Sequence, residues 1–208
     1  PRFDFIRQLK ETRGEKRVQI TADTPKEEEL RFIYSYFGVF GDPLIDSSLD
    51  PYPDGLLEKL ADMGVTGVWM HVVLRQLAPG GEAFPEFGED HEKRLENLRA
   101  LVEKAKRYGI GLYLYMNEPR AMPTSFFKNR PEMQGIPQGD HFAMCTSNAT
   151  VQQWVEDSLA HVFTEVPDLG GVFTITASEN LTNCASSFQR EQCPRCKDRT
   201  DAEVIAEI

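Results

Sequence analysis

The stretch HEKRLENLRALVEKAKRYGIGLYLYMNEP, residues 91–119, contains a helix pattern that passes directly into a strand pattern. Apolar residues at helical spacing predict an amphipathic helix over 91–109, with Gly109 as its stop. These residues are Leu95, Leu98, Leu101, Val102 and Ala105. The run 110–119 is almost continuously apolar until Pro119, which is typical of a strand buried on both faces. A helix followed at once by such a strand predicts a β/α unit of a parallel sheet.

The same alternation of helix and strand patterns continues in both directions along the chain. Strands are predicted over 31–40, 65–74 and 171–177, and helices over 53–64, over 150–166 and from Thr200 onward. Four β/α units predict an α/β fold of the parallel (β/α)8 TIM-barrel type, of which this chain supplies roughly the first four units. The alternative is a small doubly wound sheet. The pattern G-x-G-x-x-G follows none of the predicted strands, which disfavours a nucleotide-binding sheet of that kind.

The chain divides into two predicted segments. Residues 1–30 are expected to form an N-terminal extension or linker, and residues 31–208 the first half of a barrel. Alternatively, KRVQITAD (16–23) is the first barrel strand, which would move every later strand one place along. The chain starts at Pro1, and its last residues resemble a helix that is cut short. The remainder of the barrel is therefore expected to be missing from this chain.

Charge and hydropathy limit the partners that the chain is expected to bind. The 33 acidic and 23 basic residues give a net charge of −10. Nucleic acids and anionic membranes attract basic surfaces, so neither is an expected partner. No apolar run approaches the ~20 residues that cross a bilayer. A neutral partner, such as a carbohydrate or another protein, remains, and no organic cofactor is expected.

Polar side chains lie at or just past the carboxyl end of the predicted strands, with His71 within the second strand, and barrels line their active sites there. Those residues are Asp42, His71, Asn117, Glu118, Arg120, Glu179 and Asn180. Hydrolysis of a glycosidic bond needs a carboxylic acid that protonates the leaving oxygen and a second group that stabilises or attacks the oxocarbenium ion. Aromatic strand residues would stack on sugar faces, although alternation is expected to turn about half of them outward. These residues are Tyr34, Tyr36, Trp69, Tyr113 and Tyr115. The alternative is that the polar residues are ordinary loop starts.

Four segments carry a resemblance to a known group of proteins. The segments are LYLYMNEPR (112–120), CTSN (145–148), the turn 169–171 and TASENLTNC (176–184). They resemble uncharacterised bacterial glycosidase-like TIM-barrel proteins, which are distantly similar to glycoside hydrolase family 20, the β-hexosaminidases. The resemblance covers about residues 31–199 and implies that Glu179 is the general acid. In that family an aspartate precedes the acid and orients the substrate's acetamido group, whereas here Ser178 stands in that place.

A second carboxylate is available in the pair Asn117-Glu118. The same two residue types end a strand in the large clan of retaining glycosidases, where the glutamate is the acid/base. Glu118 is therefore the second candidate for the acid, or a partner carboxylate for Glu179. Partial burial and repulsion from Glu118 are expected to raise the pKa of Glu179 above the ~4.3 of free glutamate. Arg120 is expected to keep Glu118 ionised, and Asp42, His71, Asn117 and Arg120 to line the same pocket.

The cysteines have the spacing C-x8-C-x2-C at Cys184, Cys193 and Cys196, with Cys145 in an earlier loop. The knuckle CPRC is common in zinc sites, and four thiolates can hold one tetrahedral ion. A structural zinc site is therefore predicted, with Cys145 as the fourth ligand if its loop folds back. A disulfide and free thiols are the alternatives. The four histidines show no ligand spacing, which disfavours a catalytic metal.

Three functions remain open from the sequence. The first is a glycoside hydrolase with Glu179 as its acid. The second is a non-catalytic barrel that binds carbohydrate or protein and carries a structural zinc site, and the third is a metalloenzyme. The cellular compartment is not determined, but cysteines that bind metal would favour the cytoplasm.

Overall fold

The structure is a computed structural model that describes residues 30–176 and 180–207. The predicted extension, the alternative strand 16–23 and the residues Ser178 and Glu179 therefore lie outside the described residues, apart from Leu30. The helices and strands are, in chain order, β1 (Phe32–Ile33), α1 (Tyr36–Val39), α2 (Asp54–Asp62), β2 (Gly67–His71), α3 (Leu74–Leu77), α4 (His91–Lys106), β3 (Gly111–Met116), β4 (Met122–Pro123), β5 (Gln134–Gln138), β6 (His141–Met144), α5 (Ala149–Glu165), β7 (Gly171–Thr174) and α6 (Asp201–Ile205). Within the described ranges, no helix has both the length and the apolar character that crossing a bilayer requires.

Four strands form a parallel sheet in the order β1-β2-β3-β7. Val68 lies opposite Leu112, and Leu114 lies opposite Val172, so the central strands pair in one continuous register. The prediction of parallel, adjacent strands in sequence order is confirmed. This is the arrangement of part of a (β/α) barrel, and closure into a complete barrel is not seen among the described residues.

Two segments differ from the sequence-based prediction. The predicted strand 31–40 is extended only at β1, because the Ser35 side chain accepts a hydrogen bond from the Gly38 amide at 3.3 Å and starts the short helix α1. The aromatic content of the segment favoured a strand, but this local cap stabilises a helical turn. The predicted loop after β3 contains a second, antiparallel sheet of order β4-β6-β5. Its strand β6 contains most of the short apolar piece HFAMC, residues 141–145.

The large core lies between the parallel sheet and its helices. Along β3, Leu112, Leu114 and Met116 are buried at alternate positions among the buried leucines of α4. Leu98 of α4 is fully buried, as the helical spacing predicts, and Gly109 follows the helix with a φ of +70°. This left-handed conformation suits glycine, which explains why the helix stops there.

The opposite face of the sheet is lined with aromatic rings. Trp69 lies 5.2 Å from Tyr115 and 5.4 Å from Phe173, measured between ring centroids, and Phe32 lies 4.5 Å from Tyr113. The expectation that half of the strand aromatics turn outward is wrong for Trp69, Tyr113 and Tyr115, because aliphatic residues occupy the outward positions of β2 and β3. We refer to Phe32, Trp69, Tyr113, Tyr115 and Phe173 as the aromatic face.

Candidate functional site

Two clefts lie at the carboxyl ends of the parallel strands. The first has a volume of about 260 Å³ and is called the Arg120 cleft. It is lined by Asn117, Arg120, Ala121, Gln138, His141, Asn180, Leu181 and Thr182. The second has a volume of about 270 Å³ and is called the Asp42 cleft; its lining includes Asp42, His71, Gln76 and Arg94. Of the predicted site residues, Asn117, Arg120 and Asn180 line the first cleft, and Asp42 and His71 line the second.

A contact between side chains joins the two clefts. The Arg120 guanidinium donates a hydrogen bond through one terminal nitrogen to Nε2 of His71. A guanidinium only donates, so His71 Nε2 is the acceptor and is unprotonated in this arrangement. Burial, and then the charge of Arg120, lower the pKa of His71, which favours the neutral imidazole.

Asp42 is paired with a helix rather than with the other predicted site residues. Its carboxylate accepts a hydrogen bond from the Arg94 guanidinium of α4 at 2.7 Å. The Arg94 side chain is only 11% exposed, while that of Asp42 is 44% exposed. This ion pair ties the loop after α1 to helix α4 and forms one wall of the Asp42 cleft.

Glu118 is buried beside the strand ends and lines neither cleft, with 3% of its surface exposed. One carboxylate oxygen accepts the backbone N–H of Leu74 at 2.8 Å, and the other accepts that of Arg120 at 3.2 Å. Burial raises the pKa of Glu118 to about 7, although these hydrogen bonds and the charges of Arg120 and Arg75 lower it. Glu118 therefore joins the end of β3 to the start of α3.

Tyr115 connects the aromatic face to the Arg120 cleft. Its hydroxyl donates a hydrogen bond to Oδ1 of Asn117 at 3.4 Å, and its ring centroid lies 5.6 Å from that of His71. Asn117 is itself 3% exposed. The side chain of Tyr115 thus orients an amide of the cleft from the sheet side.

The polar cluster after β7 is largely an internal hydrogen-bond network. The Thr182 and Ser186 hydroxyl oxygens lie 3.1 Å apart, and Asn183 Oδ1 accepts the Ala185 amide at 2.7 Å. Thr182 also donates to the Thr176 carbonyl at 3.1 Å, which returns the loop to the end of the strand. Many polar groups of this segment are therefore used in hydrogen bonds within the loop. Among its described residues, Asn180, Leu181 and Thr182 line the Arg120 cleft.

All four cysteines are fully buried, and their sulfur atoms lie within 4.8 Å of one another. Cys145 Sγ lies 3.7 Å from Cys193 Sγ and 3.6 Å from Cys196 Sγ. Four ligands at ~2.3 Å from one tetrahedral ion would lie about 3.8 Å apart, so the cluster fits a metal ion. All four are free thiols, so the predicted disulfide alternative is not formed. The loop of Cys145 does fold back to the others, as the four-ligand prediction requires.

Neighbouring groups support the sulfur atoms. Arg195 Nε donates to Cys145 Sγ at 3.2 Å, and the Ser147 hydroxyl oxygen lies 3.3 Å from Cys196 Sγ. Gly135 leaves room for Cys184, because a β-carbon at residue 135 would stand 2.6 Å from its sulfur atom. Hydrogen bonding to Cys184, with further hydrogen bonds from Cys196 and Arg195, lowers the pKa of the Cys145 thiol to about 6. Positive charge beside the sulfurs suits a group of thiolates.

Sequence reasoning missed the cleft residues that the antiparallel sheet supplies. Gln138 ends β5 and His141 begins β6, and both line the Arg120 cleft. Gly139 and Asp140 connect them, and the φ of +61° at Gly139 is typical of a tight turn between two strands. The sequence QGDH (138–141) carried that hairpin signal, but the proline at 137 and the short strands obscured it.

Comparisons with known proteins give structural likenesses only. No protein-family model matches the chain, and no curated protein matches it. Among solved structures, it is similar to a noncanonic maltogenic α-amylase AmyB from Thermotoga neapolitana, with 12% identity over 78% of this chain and a TM-score of 0.45. It is also similar to the chitobiase FjGH20 from Flavobacterium johnsoniae, with 14% identity over 80% of this chain and a TM-score of 0.42.

A third likeness is to the α-N-acetylgalactosaminidase NagBb from Bifidobacterium bifidum, a quadruple mutant, with 12% identity over 85% of this chain and a TM-score of 0.44. The chain spans 42%, 27% and 31% of the three solved chains, which is less than half of each. All three neighbours are glycoside hydrolases by name. Likenesses this weak carry no inference about the substrate or mechanism of this chain.

Proposed function

We propose that this chain forms part of a glycoside hydrolase barrel and that the Arg120 cleft binds its carbohydrate substrate. The observation that carries the proposal is the meeting of amide side chains with the aromatic face at the carboxyl ends of parallel strands. Asn117 and Asn180 offer hydrogen bonds that sugar hydroxyls accept and donate, while Tyr115 and Trp69 offer flat apolar faces.

Glu179 is the general acid in this proposal. It directly precedes Asn180, which lines the Arg120 cleft. The acid protonates the leaving oxygen as the glycosidic bond breaks, and the amides hold the sugar hydroxyls. Ser178 replaces the aspartate that would orient an acetamido group, so substrate-assisted cleavage is not part of the proposal.

Glu118 positions the site in this proposal rather than contacting the substrate. Both of its oxygens accept backbone N–H groups, and it lines neither cleft. By joining Leu74 to Arg120, it fixes the loop that carries the Arg120 guanidinium. The second group that stabilises the oxocarbenium ion is then expected among the barrel strands outside this chain.

The test of Glu179 uses aryl glycosides with good and poor leaving groups, assayed on the full natural polypeptide. A good leaving group needs little protonation, so Glu179→Gln should slow the poor substrate by about 10²-fold or more and the good one far less. Glu82→Gln changes an exposed glutamate that lines neither cleft and serves as the matched control. Equal losses on both substrates would show that Glu179 is not the acid.

A non-catalytic carbohydrate-binding barrel is the alternative, and the Arg120 cleft serves it equally well. In that case the natural protein would bind oligosaccharides without cleaving them. Glu179→Gln would then leave the binding constant unchanged within error. Cleavage of any glycoside by the wild-type protein, lost in the variant, excludes this alternative.

We further propose that Cys145, Cys184, Cys193 and Cys196 bind one structural zinc ion. Four buried thiols at tetrahedral spacing are the donor set that Zn²⁺ prefers, and no position is left for a substrate. Cys145 follows the sheet that supplies Gln138 and His141, and Cys184 follows Leu181 and Thr182. The ion would therefore hold two walls of the Arg120 cleft together, in a compartment that keeps thiols reduced, such as the cytoplasm.

Elemental analysis of protein purified without chelators tests the zinc proposal. We expect one zinc ion per chain in the wild type and substantially less in Cys196→Ser. Iron in place of zinc would overturn the choice of metal and retain the four-thiolate centre. No metal in the wild-type protein would overturn the centre itself.

A further inference from the structure

The charges around the Arg120 cleft differ from those of the chain as a whole. The chain has a net charge of −10, yet the described residues that line this cleft include Arg120 and no acidic residue. Gln138, Asn117 and Asn180 supply neutral polar groups. Among the described residues that line the cleft, the guanidinium of Arg120 is therefore the fixed charge that a ligand meets.

The guanidinium of Arg120 has no hydrogen bond to an anionic side chain among the described residues, although the backbone N–H of Arg120 donates to Glu118. Its guanidinium contacts His71, which accepts as a neutral imidazole, and its Nε is buried without a hydrogen-bond partner. A buried donor that is left unsatisfied is costly, and an arginine in protein cannot lose its charge. The arrangement favours an incoming group that accepts hydrogen bonds from a guanidinium.

A second arginine lies in the same electrostatic environment. Arg75 of α3 is half-buried, and one of its terminal nitrogens is buried without a hydrogen-bond partner. Burial and the nearby charge of Arg120 lower the pKa of Arg75, while Glu118 raises it. The carboxyl of Glu118 interacts electrostatically with both guanidiniums. Its oxygens, however, accept hydrogen bonds from backbone N–H groups and not from the guanidiniums. One buried carboxyl thus faces two arginines.

We propose that the Arg120 cleft recognises an acidic sugar, and that Arg120 binds the carboxylate of a uronic acid unit. A planar guanidinium matches a carboxylate with two parallel hydrogen bonds. Asn117 and Asn180 would bind the ring hydroxyls of the same unit. This inference rests on the proposed carbohydrate function and adds the chemical class of the substrate.

Calorimetric titration with matched neutral and acidic sugars tests the inference on the full natural polypeptide. The probes are methyl glucuronide and methyl galacturonide, each paired with the corresponding methyl glucoside or methyl galactoside. We expect each uronide to bind at least about tenfold more tightly than its neutral partner, because a charge-assisted bidentate pair is among the stronger hydrogen-bonded contacts. High salt should reduce this preference, since it screens the charge.

Variants of Arg120 separate a specific contact from a general electrostatic effect. Arg120→Gln should abolish the preference for the uronide over the neutral sugar, and Arg120→Lys should restore only part of it. Arg99→Gln removes an exposed arginine of α4 that pairs with Glu165 and is the matched control; it should leave the preference intact. Cooperative thermal unfolding of both Arg120 variants establishes that they are folded.

The outcomes distinguish this inference from the proposed function. Equal binding of neutral and acidic sugars would overturn the inference and leave the carbohydrate function standing. Binding of malonate that Arg120→Gln removes, with no binding of any glycoside, would retain the anion site and overturn the carbohydrate function. No binding of any of these probes would overturn both.

Discussion

The protein contains two separate clusters of buried residues that differ in their residue composition. The large core packs aliphatic side chains of the parallel sheet against α2, α4 and α5. The small cluster surrounds the four cysteines and otherwise contains few large apolar residues, among them Ile136, Leu181 and Val204. One cluster is stabilised by the burial of apolar area, and the other has little such area.

This difference indicates how each region keeps its shape. A small region cannot exclude much apolar surface from water, so it usually needs a metal or a disulfide in addition. The small cluster has four free thiols in ligand geometry, whereas the large core has no cysteine. We therefore expect the two regions to respond to different perturbations, and the following predictions test that separation from the largest effect to the smallest.

Removal of metal should act on the small cluster. At free zinc of about 1,000 times the dissociation constant, binding would stabilise the folded form by ~4 kcal/mol. Chelation or Cys196→Ser should therefore accelerate amide hydrogen exchange in 134–145 and 181–205. Exchange in 98–105 and 111–116 should change little. Equal acceleration in both groups would show that the two regions are one cooperative unit.

Leu98→Ala should act on the large core. Leu98 is fully buried on α4, and a leucine-to-alanine change at such a site costs about 3 kcal/mol through lost burial and the cavity that remains. Chemical denaturation followed by circular dichroism measures this loss. Leu56→Ala, at a partly buried position of α2, is the comparison and should cost less. Loss of bound zinc in the folded Leu98→Ala variant would contradict the separation of the regions.

The two regions also differ in how far the sequence predicted them. Helical spacing identified the buried face of α4, and the apolar runs identified β2, β3 and β7, because burial on both faces leaves a clear pattern. The antiparallel sheet was missed, since its strands are short, β4 and β5 each contain a proline and β4 has only two residues. Local pattern does not determine such strands, whose pairing depends on distant partners.

The candidate site was predicted in part. Asn117, Arg120 and Asn180 were selected by their position at strand ends, and they line one cleft because parallel strands end at the same edge of a sheet. The sequence could not show that His71 and Asp42 line a second cleft. It also could not show that the Glu118 carboxylate accepts a backbone N–H group, because both features depend on the direction of the side chains. The roles assigned to Glu179 and the other site residues stay predictions.

The free energy of unfolding should depend on pH through Glu118, which is buried in the large region. Burial raises its pKa in the folded state to about 7 from 4.5, so the folded form retains a proton that the unfolded chain has lost between these values. The contribution of Glu118 to the free energy of unfolding is complete below pH ~4.5. It declines as pH rises to ~7, and the total decline in the free energy of unfolding is at most about 3 kcal/mol.

Glu118→Gln should remove this decline, because glutamine does not titrate and can still accept the Leu74 amide. The measurement is the free energy of unfolding of zinc-loaded protein at several pH values across the window. The lowered pKa of His71 contributes with the opposite sign, so the difference between wild type and variant isolates Glu118. Glu96→Gln, at an exposed site, is the control. Identical profiles for wild type and Glu118→Gln would contradict the raised pKa.

The smallest predicted effect lies at Asn148, where the two regions meet. Its side-chain oxygen accepts the amides of Thr150 and Val151 at 3.0 and 3.3 Å and caps α5, which packs on the large core. The backbone N–H of Asn148 donates to the Cys145 carbonyl at 3.0 Å. Asn148→Ala should lower the free energy of unfolding by about 1 kcal/mol, as loss of an N-cap does.

The separation of the regions predicts where that loss appears. Asn148→Ala should accelerate exchange of the Thr150 and Val151 amides, because they lose their acceptor, while zinc affinity stays unchanged. Asn148→Ser keeps a capping oxygen and should recover most of the stability. If Asn148→Ala also weakens zinc binding, the backbone between Cys145 and α5 transmits strain from the cap to the cysteine cluster. The two regions would then be coupled through this three-residue connection, even though their buried side chains form separate clusters.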